Sequence, residues 1–319
     1  MAKSTARRPT QDIEYLESLA PYIGEFVGKT FVLKAGGEVL GETLDSLAHE
    51  IAILYALGIK LVLVHGGGTQ ISAYSREIGL EPRKVEGLRI TDEETLEQAV
   101  RPVMAELNKS IVSALAGYGA DAISLQLGDK PGLIAAKRAP PKRVRMPSGR
   151  KKPVDLGFVG EVAGIKEDAL NYLLDEEYIP VISSLGMDEE GAIYNINADK
   201  VAGAVAEAVE AEKLMILTDV KGVYDHETKR HHTYLISYMD TKQARRLIRE
   251  RKVTSGMIPK LETCVYAVEH GVPRAHIVKG TDAYSLIREV LGPGTGTMVV
   301  TPTEMRRYRR ELRKLENRG

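Results

Sequence analysis

Short apolar runs alternate along the chain with longer stretches in which apolar residues recur every three or four positions. The short runs predict buried strands, which lie at residues 31–34, 61–64, 122–127, 158–162, 179–183, 214–217, 275–278 and 298–300. The longer stretches predict helices, which lie at 11–27, 44–57, 69–78, 91–100 or beyond, 166–175, 195–210, 241–249, 258–270 and 282–291. Such alternation is typical of an α/β fold with a mostly parallel sheet and helices on both faces.

Two of the predicted strands end in glycine turns. The run Leu61–Val64 continues into His65-Gly-Gly-Gly68, and the run Phe31–Lys34 continues through Ala35 into a glycine pair. Glycine lets a ligand approach the backbone closely, so that amide N–H groups can point at an anion. Ligands of open α/β sheets gather at the carboxyl ends of the strands. The sequence therefore predicts a cradle for phosphate groups, formed by Lys34, Gly36, Gly37, Gly66, Gly67 and Gly68.

Three further polar segments lie at predicted strand ends or helix starts: Asn195-Ile-Asn-Ala-Asp199, Thr218-Asp219 and Gly256-Met-Ile-Pro-Lys260. Lysines and glycine amides suit phosphoryl transfer, in which the protein mainly positions the reactants and stabilises charge. Each segment alone has a simpler explanation, such as a helix cap for Asp199 or a solvated strand end for Lys34. The hypothesis of a phosphotransferase therefore depends on their combination.

The composition fits an ordinary globular protein, with 43% hydrophobic and 28% charged residues. Basic and acidic residues are equal at 44 each, so overall charge does not favour nucleic acid or a membrane as a partner. A single cysteine, Cys264, excludes an intrachain disulfide and indicates a reducing, cytoplasmic compartment. The basic N-terminus lacks the apolar segment of a signal peptide, and no apolar stretch has membrane-spanning length.

Several motifs in order, from about residue 12 to residue 300, carry a resemblance to a known family. They are Lys34-x-Gly-Gly37, Val64-His-Gly-Gly-Gly68, Gly87-Leu-Arg-Ile-Thr-Asp92, Asn108-Lys109, Gly157-Phe-Val-Gly160, Tyr194-Asn-Ile-Asn-Ala-Asp199, Leu217-Thr-Asp-Val220 and Gly256-Met-Ile-x-Lys260. The chain resembles the N-acetyl-L-glutamate kinase family of the amino acid kinase superfamily. This resemblance implies an open αβα sandwich around a mostly parallel sheet. It also implies transfer of the γ-phosphate of ATP, with Mg²⁺, to the side-chain carboxylate of N-acetyl-L-glutamate in arginine biosynthesis.

The resemblance implies roles for individual residues. The catalytic residues would be Lys34, Lys260 and Asp199, with Asp199 holding both lysines in place. Phosphate oxygens would be bound by Gly36, Gly37, Gly66, Gly67 and Gly68. The acylated amino acid would be bound by Gly67, Gly68, Arg89 and Asn195, with the planar Arg89 side chain on its α-carboxylate. The nucleotide would contact Thr218, Asp219, Gly256 and Met257. Mg²⁺ would bridge the ATP phosphates and need no protein ligands.

Both ends of the chain are similar to arginine-inhibited members of that family. Residues 19–30 are similar to their N-terminal helix, and residues 289–298 to their arginine-binding region. The resemblance implies inhibition by L-arginine near Tyr22, Glu289 and Gly296. It also implies a homohexamer, a trimer of dimers joined by interlaced N-terminal helices. The alternative is that helix 11–27 packs only on its own subunit.

The resemblance also divides the chain into functional segments. It predicts a disordered tail at 1–10, an N-terminal helix at 11–28, an N-lobe for acyl-amino-acid binding and dimer contact at 29–185, a C-lobe for ATP at 186–300, and a basic extension at 301–319. Within the N-lobe, residues 137–157 are rich in lysine, arginine and proline. Because charge runs are usually solvated, they predict an exposed loop or hairpin.

Two other functions fit parts of the pattern. Glu38 follows the glycine pair where many relatives carry a small residue, and a carboxylate there could repel a phosphate. This departure leaves open a catalytically weak, kinase-like arginine-sensing module related to N-acetylglutamate synthase. A kinase for an acylated aminoadipate in lysine biosynthesis is the second alternative. The form Asn-Ile-Asn-Ala-Asp199 argues against the latter.

Overall fold

The computed structural model describes most of the chain, at residues 20, 24–85, 87–125, 132–145, 151–227, 232–292 and 294–316. The tail expected at 1–10 and most of the helix expected at 11–28, including Tyr22, lie outside the described residues. Residues 24–26 of that segment are helical.

The strands of the described chain are mostly three to six residues long. They are β1 (Thr30–Ala35), β2 (Lys60–His65), β3 (Lys84–Val85), β4 (Leu88–Arg89), β5 (Ala122–Leu125), β6 (Ile134–Arg138), β7 (Lys142–Arg145), β8 (Lys151–Val154), β9 (Val159–Ile165), β10 (Ile179–Ser183), β11 (Leu185–Met187), β12 (Ile193–Ile196), β13 (Lys213–Thr218), β14 (Tyr224–Glu227), β15 (His232–Leu235), β16 (Tyr238–Asp240), β17 (Arg274–Lys279) and β18 (Thr297–Val300).

The helices occupy the connections between these strands. They are α1 (Gly37–Ala56), α2 (Gly68–Glu77), α3 (Glu93–Thr95), α4 (Arg101–Gly117), α5 (Glu167–Asp175), α6 (Ala198–Ala208), α7 (Thr241–Arg249), α8 (Met257–Glu269), α9 (Ser285–Leu291) and α10 (Pro302–Glu316). A π-helical turn, Leu96–Val100, joins α3 to α4. None of the helices in these ranges combines the length and the apolar character needed to cross a lipid bilayer.

An eight-stranded sheet with the order β16-β18-β17-β13-β1-β2-β10-β5 forms the centre of the molecule. Its neighbouring strands are parallel except for β17 and β18. Both faces are apolar. Val32 of β1 belongs to the core beneath α6 and α8, whereas Phe31 and Leu33 belong to the core beneath α1 and α4. The predicted αβα sandwich with a mostly parallel sheet is therefore confirmed.

A small closed barrel of β11, β12, β9 and β6 stands beside the central sheet. Strand β12 of this barrel leads directly into α6, so the barrel helps to place the asparagines that precede Asp199. The sequence predicts an exposed loop or hairpin for the basic segment 137–157. The segment contains an antiparallel hairpin of β7 and β8. Its residues 146–150 lie outside the described residues.

Helix α1 differs from its prediction, because it begins at Gly37 and not near residue 44. Gly41 and Thr43 are poor helix formers, so the sequence around them does not indicate that the helix has already begun. The helix also has a non-helical residue at Thr43, whose hydroxyl lies 2.9 Å from the carbonyl oxygen of Val39 and 3.2 Å from that of Gly280. The early start matters because it places the N-terminus of α1 directly after the first glycine turn.

The buried carboxylate of Glu50, on α1, caps a second helix. It accepts the backbone N–H groups of Tyr284 (2.9 Å), Leu286 (2.9 Å) and Ile287 (3.2 Å) at the start of α9. The first N–H groups of a helix have no partner within it, so this side chain satisfies three of them. Glu50 thereby ties α9 to α1 across the core.

We expect Glu50→Ala to lower the free energy of unfolding by about 2–4 kcal/mol, because it leaves buried N–H groups without acceptors. Denaturant unfolding of both proteins measures this change. Glu42→Ala, an exposed position on the same helix, is the matched control and should change stability by less than about 0.5 kcal/mol. Equal effects of the two substitutions would contradict the capping role.

Candidate active site

A cleft of about 300 Å³ lies where the carboxyl ends of β1 and β2 meet the starts of α1, α2 and α6. Residues from every polar segment identified in the sequence line it: Lys34, Gly36, Gly37, Gly66, Gly67, Gly68, Arg89, Asn195, Asp199, Thr218 and Lys260. The two lysines, which are 226 positions apart in the sequence numbering, therefore open into one cleft.

A buried ion pair forms the floor of this cleft. Lys34 Nζ lies 2.8 Å from Asp199 Oδ1, and both side chains are more than 90% buried. Asp199 is in the first turn of α6, but it does not cap that helix. The cap is Asn197, whose side chain accepts the backbone N–H groups of Asp199 (2.8 Å) and Lys200 (3.3 Å). Because Asn197 caps the helix, the Asp199 carboxylate is available to Lys34.

The charge state of Asp199 follows from its surroundings. Burial alone would raise the pKa of this carboxyl group, but the positive charges of Lys34 and Lys260 outweigh burial, and the pKa lies below its usual value. Asp199 is therefore ionised at neutral pH. The structure shows a direct ion pair with Lys34, whereas Lys260 acts on the carboxylate through its charge.

Lys260 is held more loosely than Lys34. It lies in the first turn of α8, and its Nζ is 3.4 Å from the carbonyl oxygen of Gly256 on the open side of the cleft. Lysine is a point charge on a flexible stem. The cleft thus combines one ammonium group fixed by a buried carboxylate with a second that can move.

Three helices begin at the cleft, with Gly36, Gly67 and Asn197 as their N-cap residues. Helix N-termini carry unpaired N–H groups and a partial positive charge, which makes them sites for anions. The two glycine turns are also closely packed on each other. A Cβ atom on Gly37 would lie 3.2 Å from the backbone nitrogen of Thr69 and 3.3 Å from that of Gly68, and Gln70 Nε2 donates to the Gly37 carbonyl oxygen at 2.6 Å.

Arg89 contributes a buried donor that has no acceptor. Its Nη2 donates to the carbonyl oxygen of Gly68 (2.9 Å) and to Ser72 Oγ (2.6 Å), while Nη1 is buried without a partner in the described part of the chain. Burial, and secondly the charge of Arg76, lowers the pKa of Arg89, but a guanidinium remains charged at neutral pH. An unpaired guanidinium N–H beside a cleft suits an anionic oxygen of a ligand.

Of the other predicted site residues, some line the cleft and some do not. Asn195 Nδ2 donates to Thr91 Oγ1 at 3.2 Å, and the Thr218 hydroxyl donates to Asp219 Oδ1 at 2.9 Å. Asp219 itself does not line the cleft, and neither do Gly256 and Met257. The Met257 side chain packs into the core beneath α8. It does not face this cleft, where the nucleotide contact was expected.

Sequence reasoning missed the residues that support the glycine turns. One is Gln70. Another is the pair His65 and Asn108: Asn108 Nδ2 lies 3.1 Å from His65 Nε2 and donates to the Val181 carbonyl oxygen at 2.9 Å. Burial lowers the pKa of His65 to about 4, so the imidazole is neutral. The sequence draws attention to both residues, since His65 precedes the glycines and Asn108 belongs to the Asn108-Lys109 motif. Neither feature indicates that the two side chains contact each other.

The region predicted to bind arginine lies outside the cleft, between β17, α9 and β18. The buried Glu289 accepts the Gly296 backbone N–H at 2.9 Å and lies 2.8 Å from His276 Nδ1. Burial would raise the pKa of Glu289, but the contact with His276 and backbone N–H groups lower it to about 2. Nearby, Lys213 Nζ lies 3.9 Å above the Phe26 ring, and burial lowers the pKa of Lys213 to about 8.

Residues 29–279 match the model of the amino acid kinase family. The chain is 40% identical over 288 residues to the acetylglutamate kinase of Symbiobacterium thermophilum, covering 89% of this chain and 96% of that protein. It is 38% identical over 289 residues to the acetylglutamate kinase of Methanocaldococcus jannaschii, covering 90% and 95%. The chain belongs to the acetylglutamate kinases of the amino acid kinase family. It is thus an enzyme of the phosphotransferase class.

The fold is also similar to N-acetylglutamate synthase from Neisseria gonorrhoeae. The complex of that synthase with coenzyme A and N-acetyl-glutamate has a TM-score of 0.77 and 28% identity, and the complex with coenzyme A and L-arginine has 0.74 and 26%. The matches cover 91% and 90% of this acetylglutamate kinase family member but only 63% and 65% of the synthase chain. The chain therefore spans less than two thirds of the synthase.

We expect Gly37→Ala to reduce kcat by about 100-fold, because its Cβ would press on the backbone of Gly68 and Thr69 and disturb the spacing of the two glycine turns, which are expected to bind phosphate groups. Steady-state kinetics measures the change, and thermal unfolding shows whether the fold is retained. Gly117→Ala is the matched control, since a Cβ there meets nothing within 4 Å. Wild-type kcat in Gly37→Ala would contradict the importance of that spacing.

Proposed function

We propose that this enzyme phosphorylates the side-chain carboxylate of N-acetyl-L-glutamate with ATP, giving N-acetyl-L-glutamyl 5-phosphate in arginine biosynthesis. The observation that carries the proposal is the cleft in which Lys34, Lys260 and the buried Asp199 meet two glycine turns. Positive charge and backbone donors surround a space open to phosphate groups, as phosphoryl transfer requires. The buried, unpaired Cys264 supports a cytoplasmic location.

In the proposed reaction, an oxygen of the substrate carboxylate forms a bond to the γ-phosphorus of ATP. The bond from that phosphorus to the bridging oxygen breaks, and ADP leaves with the electron pair. A glutamate side chain is already ionised at neutral pH, so no general base is needed. Lys34 and Lys260 stabilise the charge on the transferred group, and Asp199 fixes Lys34 in position.

The remaining roles concern binding. Amides of the two glycine turns bind phosphate oxygens, and Arg89 Nη1 receives the substrate α-carboxylate beside Asn195. The nucleotide would extend from Thr218, which lines the cleft, toward Asp219, Gly256 and Met257, which lie outside it. Within the described ranges, no group of three His, Cys, Asp or Glu side chains is placed to hold a metal ion. Mg²⁺ would be bound by ATP phosphate oxygens and water, where it would neutralise their charge.

In the proposed organisation, residues 29–185 form the lobe that binds the acylated amino acid and makes the dimer contact. Residues 186–300 form the lobe that binds the nucleotide. We further propose that L-arginine inhibits the enzyme near Tyr22, Glu289 and Gly296, and that the subunits form a trimer of dimers. Glu289 and Gly296 lie together in this region, where the Glu289 carboxylate is held by His276 and by the Gly296 backbone N–H. The arginine complex of the Neisseria synthase, which has a similar fold, supports the same choice of ligand.

We expect the wild-type enzyme to form an acyl phosphate from ATP and N-acetyl-L-glutamate, trapped as the hydroxamate with hydroxylamine. Lys34→Met and Lys260→Met should each lower kcat by about 10²–10³-fold, because each removes a charge that stabilises the transition state. Lys242→Met, an exposed position on α7, is the control. Full activity in either cleft variant would contradict the proposed mechanism, and arginine binding without turnover would favour a sensing module.

We expect removal of residues 1–23 to leave an active dimer that L-arginine no longer inhibits, because the interlaced helices would be lost. This truncation keeps Phe26, which packs against Phe31 with ring centroids 5.3 Å apart. Light scattering measures the oligomeric state, and activity at increasing arginine concentration measures inhibition. Arginine-inhibited hexamers that survive the truncation would count against the proposed regulation.

A further inference from the structure

The hairpin of β3 and β4 brings a second cation to the cleft beside Arg89. Lys84 of β3 pairs directly with Arg89 of β4 in the antiparallel register. Residues directly opposite each other in such a pair project from the same face. Both side chains line the cleft, with Lys84 exposed and Arg89 buried. The hairpin therefore presents a lysine and an arginine side by side to the same space.

Two like charges directly across a hairpin repel each other, and no carboxylate of the residues that the structure describes relieves this repulsion. Across the described ranges, neither Lys84 nor Arg89 has a carboxylate oxygen within 4.0 Å. Of the acidic residues that line the cleft, Asp199 pairs with Lys34, and Glu38 is exposed at the rim. The hairpin thus holds positive charge that an anionic group of a ligand would neutralise.

The unpaired Nη1 of Arg89 shows where that anion would be bound. We propose that Lys84 and Arg89 together hold the α-carboxylate of the acylated amino acid, with Lys84 as a specificity-determining residue. This inference builds on the proposed function, which gives Arg89 alone that role. Arg89 offers a planar donor fixed by Gly68 and Ser72, and Lys84 adds a mobile charge from the solvent side.

Because two positive side chains bind one carboxylate, the site is more sensitive to the charge of that group than to its shape. The α-carboxamide analogue of N-acetylglutamate has nearly the same size but lacks the negative charge. The wild-type enzyme should therefore bind it more weakly than N-acetylglutamate, and part of this discrimination should come from Lys84.

Isothermal titration calorimetry with N-acetylglutamate and with its α-carboxamide analogue tests the inference, beside steady-state kinetics. Lys84→Met should weaken binding of N-acetylglutamate by about 5- to 10-fold, the range of a charge-assisted contact at a partly exposed site. It should change binding of the analogue by less than about twofold, and the KM for ATP should stay unchanged. Arg83→Met is the matched control, since Arg83 pairs with Asp92 on the same hairpin.

Three results would overturn the inference. The first is equal weakening of both ligands by Lys84→Met, as a loosened hairpin would cause. The second is unchanged binding of N-acetylglutamate. The third is loss of the effect in a Glu38→Gln background, since Lys84 would then serve to balance Glu38. Calorimetry does not require turnover, so a wild-type enzyme without kinase activity would refute the proposed function while the binding measurements still decide the role of Lys84.

Discussion

The ion pair between Lys34 and Asp199 is the interaction on which the arrangement of the cleft depends. Burying either charge alone would be costly, and removing one partner of a buried pair leaves the other uncompensated. The pair joins the end of β1 to the start of α6, although Lys34 and Asp199 are 165 positions apart in the sequence. Asn197 makes this possible, because it caps α6 in place of the aspartate. Charge compensation thus fixes the helix against the central strand.

The charged groups of the cleft differ from two buried glutamates elsewhere in the protein. Glu50 and Glu289 are buried, and each is satisfied by backbone N–H groups or a histidine within the protein. At the cleft, by contrast, positive charge and donors are in excess: the helix N-termini, Arg89 Nη1 and Lys84 have no anionic partner in the described chain. Native proteins rarely leave buried donors unpaired. An anionic ligand would complete the electrostatics of this region.

The hydrophobic pattern predicted the strands that carry the cleft, because β1, β2 and β13 are buried on both faces and read as continuous apolar runs. It predicted β9 of the small barrel, as the strand at 158–162, but missed β6, β11 and β12, whose few residues give no period. It also placed the start of α1 too late, because Gly41 and Thr43 mask its first turns. Contacts such as Gln70 with Gly37, or Asn108 with His65, join segments far apart in the chain, and no local pattern encodes them. The Lys84–Arg89 pair depends on a register that only the folded hairpin defines.

The two lysines proposed to be catalytic differ in how firmly the protein holds them, and this difference would have a chemical consequence. Lys34 is buried and fixed by Asp199, so its charge is in place before any ligand arrives and requires no reorganisation during the reaction. Among the described residues, Lys260 Nζ has a 3.4 Å contact with the Gly256 carbonyl oxygen, so under the proposed mechanism its side chain could follow the phosphoryl group as it moves. A transferred group that passes between donor and acceptor needs charge stabilisation along its path. In the proposed mechanism, one fixed charge and one mobile charge would provide that stabilisation at both the start and the end of the transfer.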